Sequence, residues 1–269
     1  MIVCTLAKPW RRSAFPNHDP FAARPNHPRG SAPHRRGPLP PELTVEARSL
    51  QYIAAACAGE LLLGSAALEV RRVGTDSRHV KAGDLFLALA GDKFDGHDFL
   101  TEVLAKGAVA VMVERRRLPL PPLAGAVIVV ENTRQALGRL AAFYRQDFAL
   151  PAVAVAGSNG KSTTKELIAA VLRQRLATLH SEASFNNDLG VPLSLLRLEH
   201  RHQAAVLEVG TNHPGELPPL LAMIQPRYGV MTSLGREHLE FFGDLEGVVR
   251  EEGWLAELLP GRVGSVTEP

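Results

Sequence analysis

The sequence predicts an α/β fold in two units: a small α/β unit over 44–149, then a parallel-sheet unit built on a phosphate loop over 150–269. Three observations carry the prediction. Short apolar, β-branched runs alternate with segments of helical period, the pattern that lays helices on a largely parallel sheet. Glycine and proline punctuate the passages between them. Near the middle, Val153-Ala154-Val155-Ala156 runs into Gly157-Ser158-Asn159-Gly160-Lys161-Ser162-Thr163-Thr164 and on into the helical pattern of 165–176, which reads as strand, tight loop, helix.

Composition bounds what such a chain does. With 269 residues, 45% hydrophobic and 22% charged, it is long enough for two domains with cores of their own. No run approaches the ~18 uninterrupted apolar residues of a membrane span, since the richest, 109–113, lies between Lys106 and Glu114. The two cysteines, Cys4 and Cys57, furnish neither a disulfide framework nor a metal cluster, so a reducing cytoplasm is the expected compartment. The formal net charge of +2 is unevenly spread: seven of the 30 Lys and Arg, and one of the 28 acids (Asp19), fall in 1–41, which leaves 23 basic and 27 acidic residues elsewhere. A mildly acidic body speaks against a nucleic-acid partner.

Residues 1–41 hold nine prolines, the pairs Arg11-Arg12 and Arg35-Arg36 and three histidines, with neither apolar period, so 1–43 is expected to be a disordered Pro/Arg-rich tail. Prolines 9, 16 and 20 preclude a secretory apolar core and an amphipathic transit helix, and the segment reads as upstream sequence from a misplaced start codon. A helix is expected over 47–58. The stretch Val70-Arg71-Arg72-Val73-Gly74-Thr75-Asp76-Ser77-Arg78 reads as a strand entering a polar turn, and Ala82-Gly83-Asp84 as a second turn before a strand at 85–89. Asp95-Gly96-His97-Asp98 opens a helix reaching Lys106, capped by Asp98 or a neighbour. Strands at 109–113 and 127–130 and a helix at 133–146 complete the unit. On spacing alone, Asp76-Ser77-Arg78 and Asp95-Gly96-His97 read as ordinary loop chemistry.

In the second unit, Gly157 and Gly160 let the backbone turn so that successive N–H groups face inward, and the helix N-terminus adds partial positive charge. A triphosphate fits such a cradle. Lys161 would reach the β- and γ-phosphates, and the Ser162 hydroxyl would ligate Mg2+. The common pattern G-x-x-x-x-G-K-[ST] has glycine where this chain has Val155, so the loop is shorter. A polar stretch, Ser184-Phe185-Asn186-Asn187-Asp188-Leu189-Gly190, then leads through Val191-Pro192 into an apolar helix ending near Leu198. The strand at 204–209 carries Glu208 near its C-terminal end, where ligands gather in an open parallel sheet. Glu208 is therefore expected to face the crevice of Lys161 and to hold Mg2+ directly or through water. A strand at 228–232 precedes Gly235-Arg236-Glu237-His238-Leu239-Glu240; on spacing alone His238 reads as a hydrogen-bonded loop residue.

Together these segments resemble the Mur ligase family, ATP-dependent amino-acid and peptide ligases of bacterial cell-wall synthesis. GSNGKSTT matches the family's short phosphate loop, which accounts for Val155. FNNDLGVPLSLLRL (185–198), LEVGTNHPGEL (207–217) and HLEFFGDLEGV (238–248) are similar to the member that joins D-alanyl-D-alanine to UDP-N-acetylmuramoyl-tripeptide, and TDSR (75–78) with GDLFLALAGDKFDGHDF (83–99) resembles its uridine-nucleotide domain. The resemblance implies a UDP-substrate domain over 44–149 and a central ATP-binding domain over 150–269, in a cytoplasmic enzyme that is monomeric at full length. It implies that ATP phosphorylates the tripeptide carboxylate and that the amine of D-Ala-D-Ala displaces phosphate. Lys161 and the loop amides would then neutralise the transferred phosphoryl group, Ser162 and Glu208 would hold one Mg2+, and His238 a second metal. Asn186 and Asn187 would line the cleft, with Asp76, Ser77 and Arg78 toward the UDP end.

Glu252 falls where the family carries a carbamylated lysine, and Trp254 where a glutamate is common; Glu252 offers a permanent carboxylate on a shorter arm. The sequence stops at Pro269, before the remaining ATPase strands and the amine-binding ligase domain of the family. The central sheet is accordingly expected to be incomplete with an open edge, and the chain inactive alone. Two further readings stay open: a non-catalytic nucleotide-binding remnant, and a ligase of the folate-polyglutamylating type that shares the loop.

Overall fold

The computed structural model describes residues 2–5, 44–91, 94–259 and 263–265. They fall into two compact units divided between Tyr144 and Arg145, with Ile2–Thr5 grouping with the later one. The first described strand, β1 (Ile2–Thr5), thus belongs to the second unit.

The first unit runs β2 (Thr44–Ser49), α1 (Leu50–Cys57), β3 (Glu60–Leu63), β4 (Glu69–Gly74), β5 (Leu85–Leu87), α2 (Leu100–Ala105), β6 (Ala110–Glu114), β7 (Ala126–Val130) and α3 (Thr133–Arg145). Its sheet has the order β2-β4-β5-β6-β7-β3. The inner strands β4 to β7 pair in parallel, and the edges β2 and β3 are antiparallel. Buried on both faces, β6 and β7 read as unbroken apolar runs, as expected of inner parallel strands. The first helix begins three residues later than the 47–58 expected, because Thr44–Ser49 pairs with β4 and Ser49 caps the helix, its Oγ accepting the Tyr52 N–H at 3.2 Å. Asp95, a neighbour of Asp98, is the cap of the 3-10 turn Gly96–Phe99 that leads into α2, accepting the His97 N–H at 3.0 Å.

The second unit continues β8 (Ala152–Ala156), α4 (Lys161–Leu172), β9 (Thr178–His180), α5 (Gly190–Leu195), β10 (Ala204–Glu208), α6 (Leu217–Ile224), β11 (Tyr228–Met231), α7 (Leu239–Phe242), α8 (Leu245–Leu258) and β12 (Val263–Ser265). The sheet order is β12-β1-β11-β8-β10-β9. From β11 to β9 the pairing is parallel, with Glu208 level with Val155 and Met231 level with Ala156. Three strands therefore end together at one edge. Val155, Val206 and Val230 pack beneath Ala169 of α4, with Val153, Ile168 and Leu172 around them.

The structure departs from the sequence reading at the other edge of this sheet. β1 pairs antiparallel with β11, and β12 antiparallel with β1, so the sheet is mixed and continues beyond β11. Ile2–Thr5, expected within a disordered tail, is a strand. The average composition of 1–43 hides this short β-branched run, whose backbone groups find partners on β11. The rest of that tail lies outside the described residues. No helix of the described residues is long and apolar enough to cross a membrane.

Candidate active site

The turn after β8 is shaped by Gly157. It sits at φ +113, and a Cβ there would lie 2.5 Å from Thr232 Oγ1 and 2.7 Å from the Ser233 carbonyl, so only glycine fits. The first three loop amides are bound by protein. Gly157 N–H donates to Glu252 Oε2 at 2.9 Å, Ser158 N–H to the Ser233 carbonyl at 2.9 Å, and Asn159 N–H to Ser233 Oγ at 3.0 Å. Ser158 Oγ accepts from Gly235 N–H at 2.9 Å. Gly160, at φ +81, then opens α4 with no side-chain cap hydrogen bond. The amides of Gly160 and of the first helical turn, Lys161, Ser162 and Thr163, stand at the N-terminus of α4, where a helix has no acceptors of its own for them. Lys161 Nζ lies over the loop, donating to the Gly157 and Ser158 carbonyls, 3.9 Å from Glu237 Oε2.

Glu208 faces the same end of the sheet. Its Oε2 accepts the Ser162 hydroxyl at 2.7 Å and its Oε1 the Asn186 amide at 2.8 Å, while its own N–H donates to Ser181 Oγ at 3.1 Å. The residue is 1% exposed. A hydroxyl and a carboxylate side by side at a helix N-terminus are hard oxygen donors of the kind Mg2+ takes alongside phosphate oxygens and water, so the residues present fit that ion. Gly210 packs close by: a Cβ there would lie 2.7 Å from Asn186 Nδ2.

The remaining expected residues are placed as follows. Asn187 turns away from Glu208; its Oδ1 accepts the Leu189 and Gly190 N–H groups at 3.1 and 2.8 Å, tying the start of α5. His238 adopts a left-handed conformation before α7, with Nδ1 3.9 Å from Glu240 Oε1. Among the described residues no group of three or more His, Cys, Asp or Glu could hold a metal ion, so the geometry gathers no carboxylate cluster around His238. Glu252, which falls at the position of the family's carbamylated lysine, accepts the N–H of the first glycine of the loop. It is 2% exposed, and burial pushes its carboxyl up to about 7, with Glu237 and Glu251 adding repulsion and Lys161 and the Gly157 N–H opposing.

In the first unit, Asp76, Ser77 and Arg78 follow β4. Asp76 Oδ1 accepts from Arg78 N–H at 3.0 Å and Nε at 2.9 Å, and the guanidinium holds the Asp76 carboxyl far below the usual range. Lys106 Nζ donates to the Ser77 carbonyl at 2.9 Å.

Two residues of the site were not singled out in the sequence. Lys165 of α4 is fully buried, and Ser181 Oγ accepts the Glu208 N–H. A lysine on the apolar stripe of a helix, four residues before Ala169, is the signal that marks the first; nothing local marks the second.

Known proteins resemble this chain in both units. The Mur ligase middle domain matches residues 155–263, and the Mur ligase family catalytic domain matches 69–145. The UDP-N-acetylmuramoyl-tripeptide--D-alanyl-D-alanine ligase of Escherichia coli K12 is 41% identical over 199 residues, covering 74% of this chain and 43% of that protein. A crystal structure of MurF from Acinetobacter baumannii superposes with a TM-score of 0.73 at 36% identity, over 80% of this chain and 47% of the other. MurF from Thermotoga maritima, solved in complex with ADP, gives 0.62 at 32% identity, over 70% of this chain and 43% of that one. The chain thus spans less than half the length of the relatives it matches. With family domains matched in tandem across both units and these similarities in sequence and structure, the chain belongs to the Mur ligase family.

Proposed function

We propose that this chain supplies the nucleotide-binding and acceptor-binding parts of a cytoplasmic ligase that adds D-alanyl-D-alanine to UDP-N-acetylmuramoyl-tripeptide in peptidoglycan precursor synthesis. The observation that carries the reading is the 2.7 Å contact between Ser162 Oγ and Glu208 Oε2 beside the open amides of α4. ATP would lie with its β- and γ-phosphates on the amides of Gly160, Lys161, Ser162 and Thr163, and Lys161 Nζ would move from the loop carbonyls onto them. Ser162 and Glu208 would hold Mg2+, which when bound offsets phosphate charge. A tripeptide carboxylate oxygen attacks the γ-phosphorus as the bond to ADP breaks; the amine of D-Ala-D-Ala then attacks the acyl carbon, losing a proton as phosphate leaves.

The protein's part in both steps is positioning and charge neutralisation. Asn186 keeps Glu208 aimed through its amide. Asp76, Ser77 and Arg78 are assigned to the uridine nucleotide, His238 to the cleft wall near Glu240, and Glu252 to holding the loop. Titration of Mg2+-ATP against the purified chain tests the reading. Binding below millimolar concentration, weakened at least tenfold in Lys161→Ala, is expected; absence of binding, or equal binding by the variant, would overturn it.

A further inference from the structure

The fully buried Lys165 has no part in the chemistry just described. Its Nζ donates to the Ser181 carbonyl at 2.7 Å and the Ala183 carbonyl at 2.9 Å, and lies 3.0 Å from Glu166 Oε1. An ammonium has three protons, and three oxygens surround it. Removing such a charge from water is expensive, and a methionine of similar length would fill the space at far less cost. A lysine here therefore specifies a geometry rather than adding packing.

The geometry it specifies is that of the strand-to-loop passage after β9. Both carbonyls it holds belong to this passage, and Ala183 sits at φ +43, which a residue with a side chain rarely adopts. Ser181 N–H is bound to the Val206 carbonyl, and Ser181 Oγ accepts the Glu208 N–H. Five residues after Ser181, Asn186 accepts the Gly210 N–H on its carbonyl at 2.9 Å and donates its side-chain amide to Glu208. One ammonium on the helix of Lys161 and Ser162 thus fixes a segment that grips Glu208 from two sides.

We propose that Lys165 is a positioning residue: it locks the Ser181–Asn186 passage onto α4 and so holds Glu208 at the spacing from Ser162 that a divalent cation requires. The inference rests on the nucleotide reading for its purpose but not for its geometry, and two readouts separate them. The first needs no ligand. In Lys165→Met, hydrogen exchange of the Glu208 and Gly210 amides should accelerate at least tenfold relative to amides of β8; unchanged relative protection would overturn the proposal. The second is the ratio of ATP affinity with Mg2+ to ATP affinity in EDTA, which should fall at least tenfold. An equal loss in both conditions would mark Lys165 as merely structural and overturn the proposal. Wild type failing to bind ATP would defeat the functional reading, while the exchange arm would still decide this one. Should Lys165→Met not fold, Ser181→Ala removes the acceptor for the Glu208 N–H and leaves the ammonium in place. It should accelerate the Glu208 amide alone and lower the same ratio, and no change in either would overturn the proposal.

Discussion

Glu252 carries its carboxyl group into a place where charge is costly, and pH reads the cost. Burial raises it from 4.5 to about 7 in the folded protein. Between those values the folded chain retains a proton on Glu252 that the unfolded chain has released, so this carboxyl's contribution to stability falls as pH rises from 4.5 to about 7 and levels off above. The full swing is about 3 kcal/mol. Glu252→Gln keeps an oxygen for the Gly157 N–H and cannot titrate. Denaturant unfolding across that window should therefore show a stability slope against pH that is more negative in wild type than in the variant; equal slopes would contradict the role given to burial. Lys161, Ser162 and Glu208 were legible from the sequence, because a phosphate loop and a strand end have a local signature. The partner of Glu252 was not, since it lies 95 residues away.

At the scale of elements, the passage from β9 to α5 shows how a polar run divides its labour. Asn186 faces Glu208, whereas Asn187 ties two N–H groups at the start of α5. Asn187→Ala should cost about 1 kcal/mol of stability, as loss of a helix-start acceptor does, and Asn187→Asp should restore it because the accepting oxygen is kept. If denaturation midpoints were unchanged in the alanine variant, the tie would be incidental. Most strands and helices were readable because their apolar runs are buried on both faces or repeat with helical period. The start of α1 was misplaced because Ala47 and Arg48 suit a helix, while the pairing of Thr44–Ser49 with β4 is a long-range contact that no local window contains. β1 was hidden for the same reason: its partner β11 lies at the far end of the sequence.

For the molecule as a whole, the division at Tyr144 and Arg145 separates two sheets, each with its own parallel core. The phosphate loop, Glu208 and Glu252 all belong to the second, and Asp76 to Arg78 to the first. Distinct ligands should then protect distinct stretches of backbone, because a ligand adds stability only to the structure that binds it. At one hundred times its dissociation constant, Mg2+-ATP adds ~2.7 kcal/mol, or about a hundredfold slowing of exchange through opening of that unit. The slowing should appear in β8, β10 and β11 and not in β5 or β6. UDP should do the reverse, slowing β5 and β6 and the turn at 75–78. Hydrogen exchange read by mass spectrometry resolves these segments. Equal protection of β6 and β8 by ATP would refute the assignment of the triphosphate to the second unit alone, and protection of β8 by UDP would refute the assignment of the uridine nucleotide to the first.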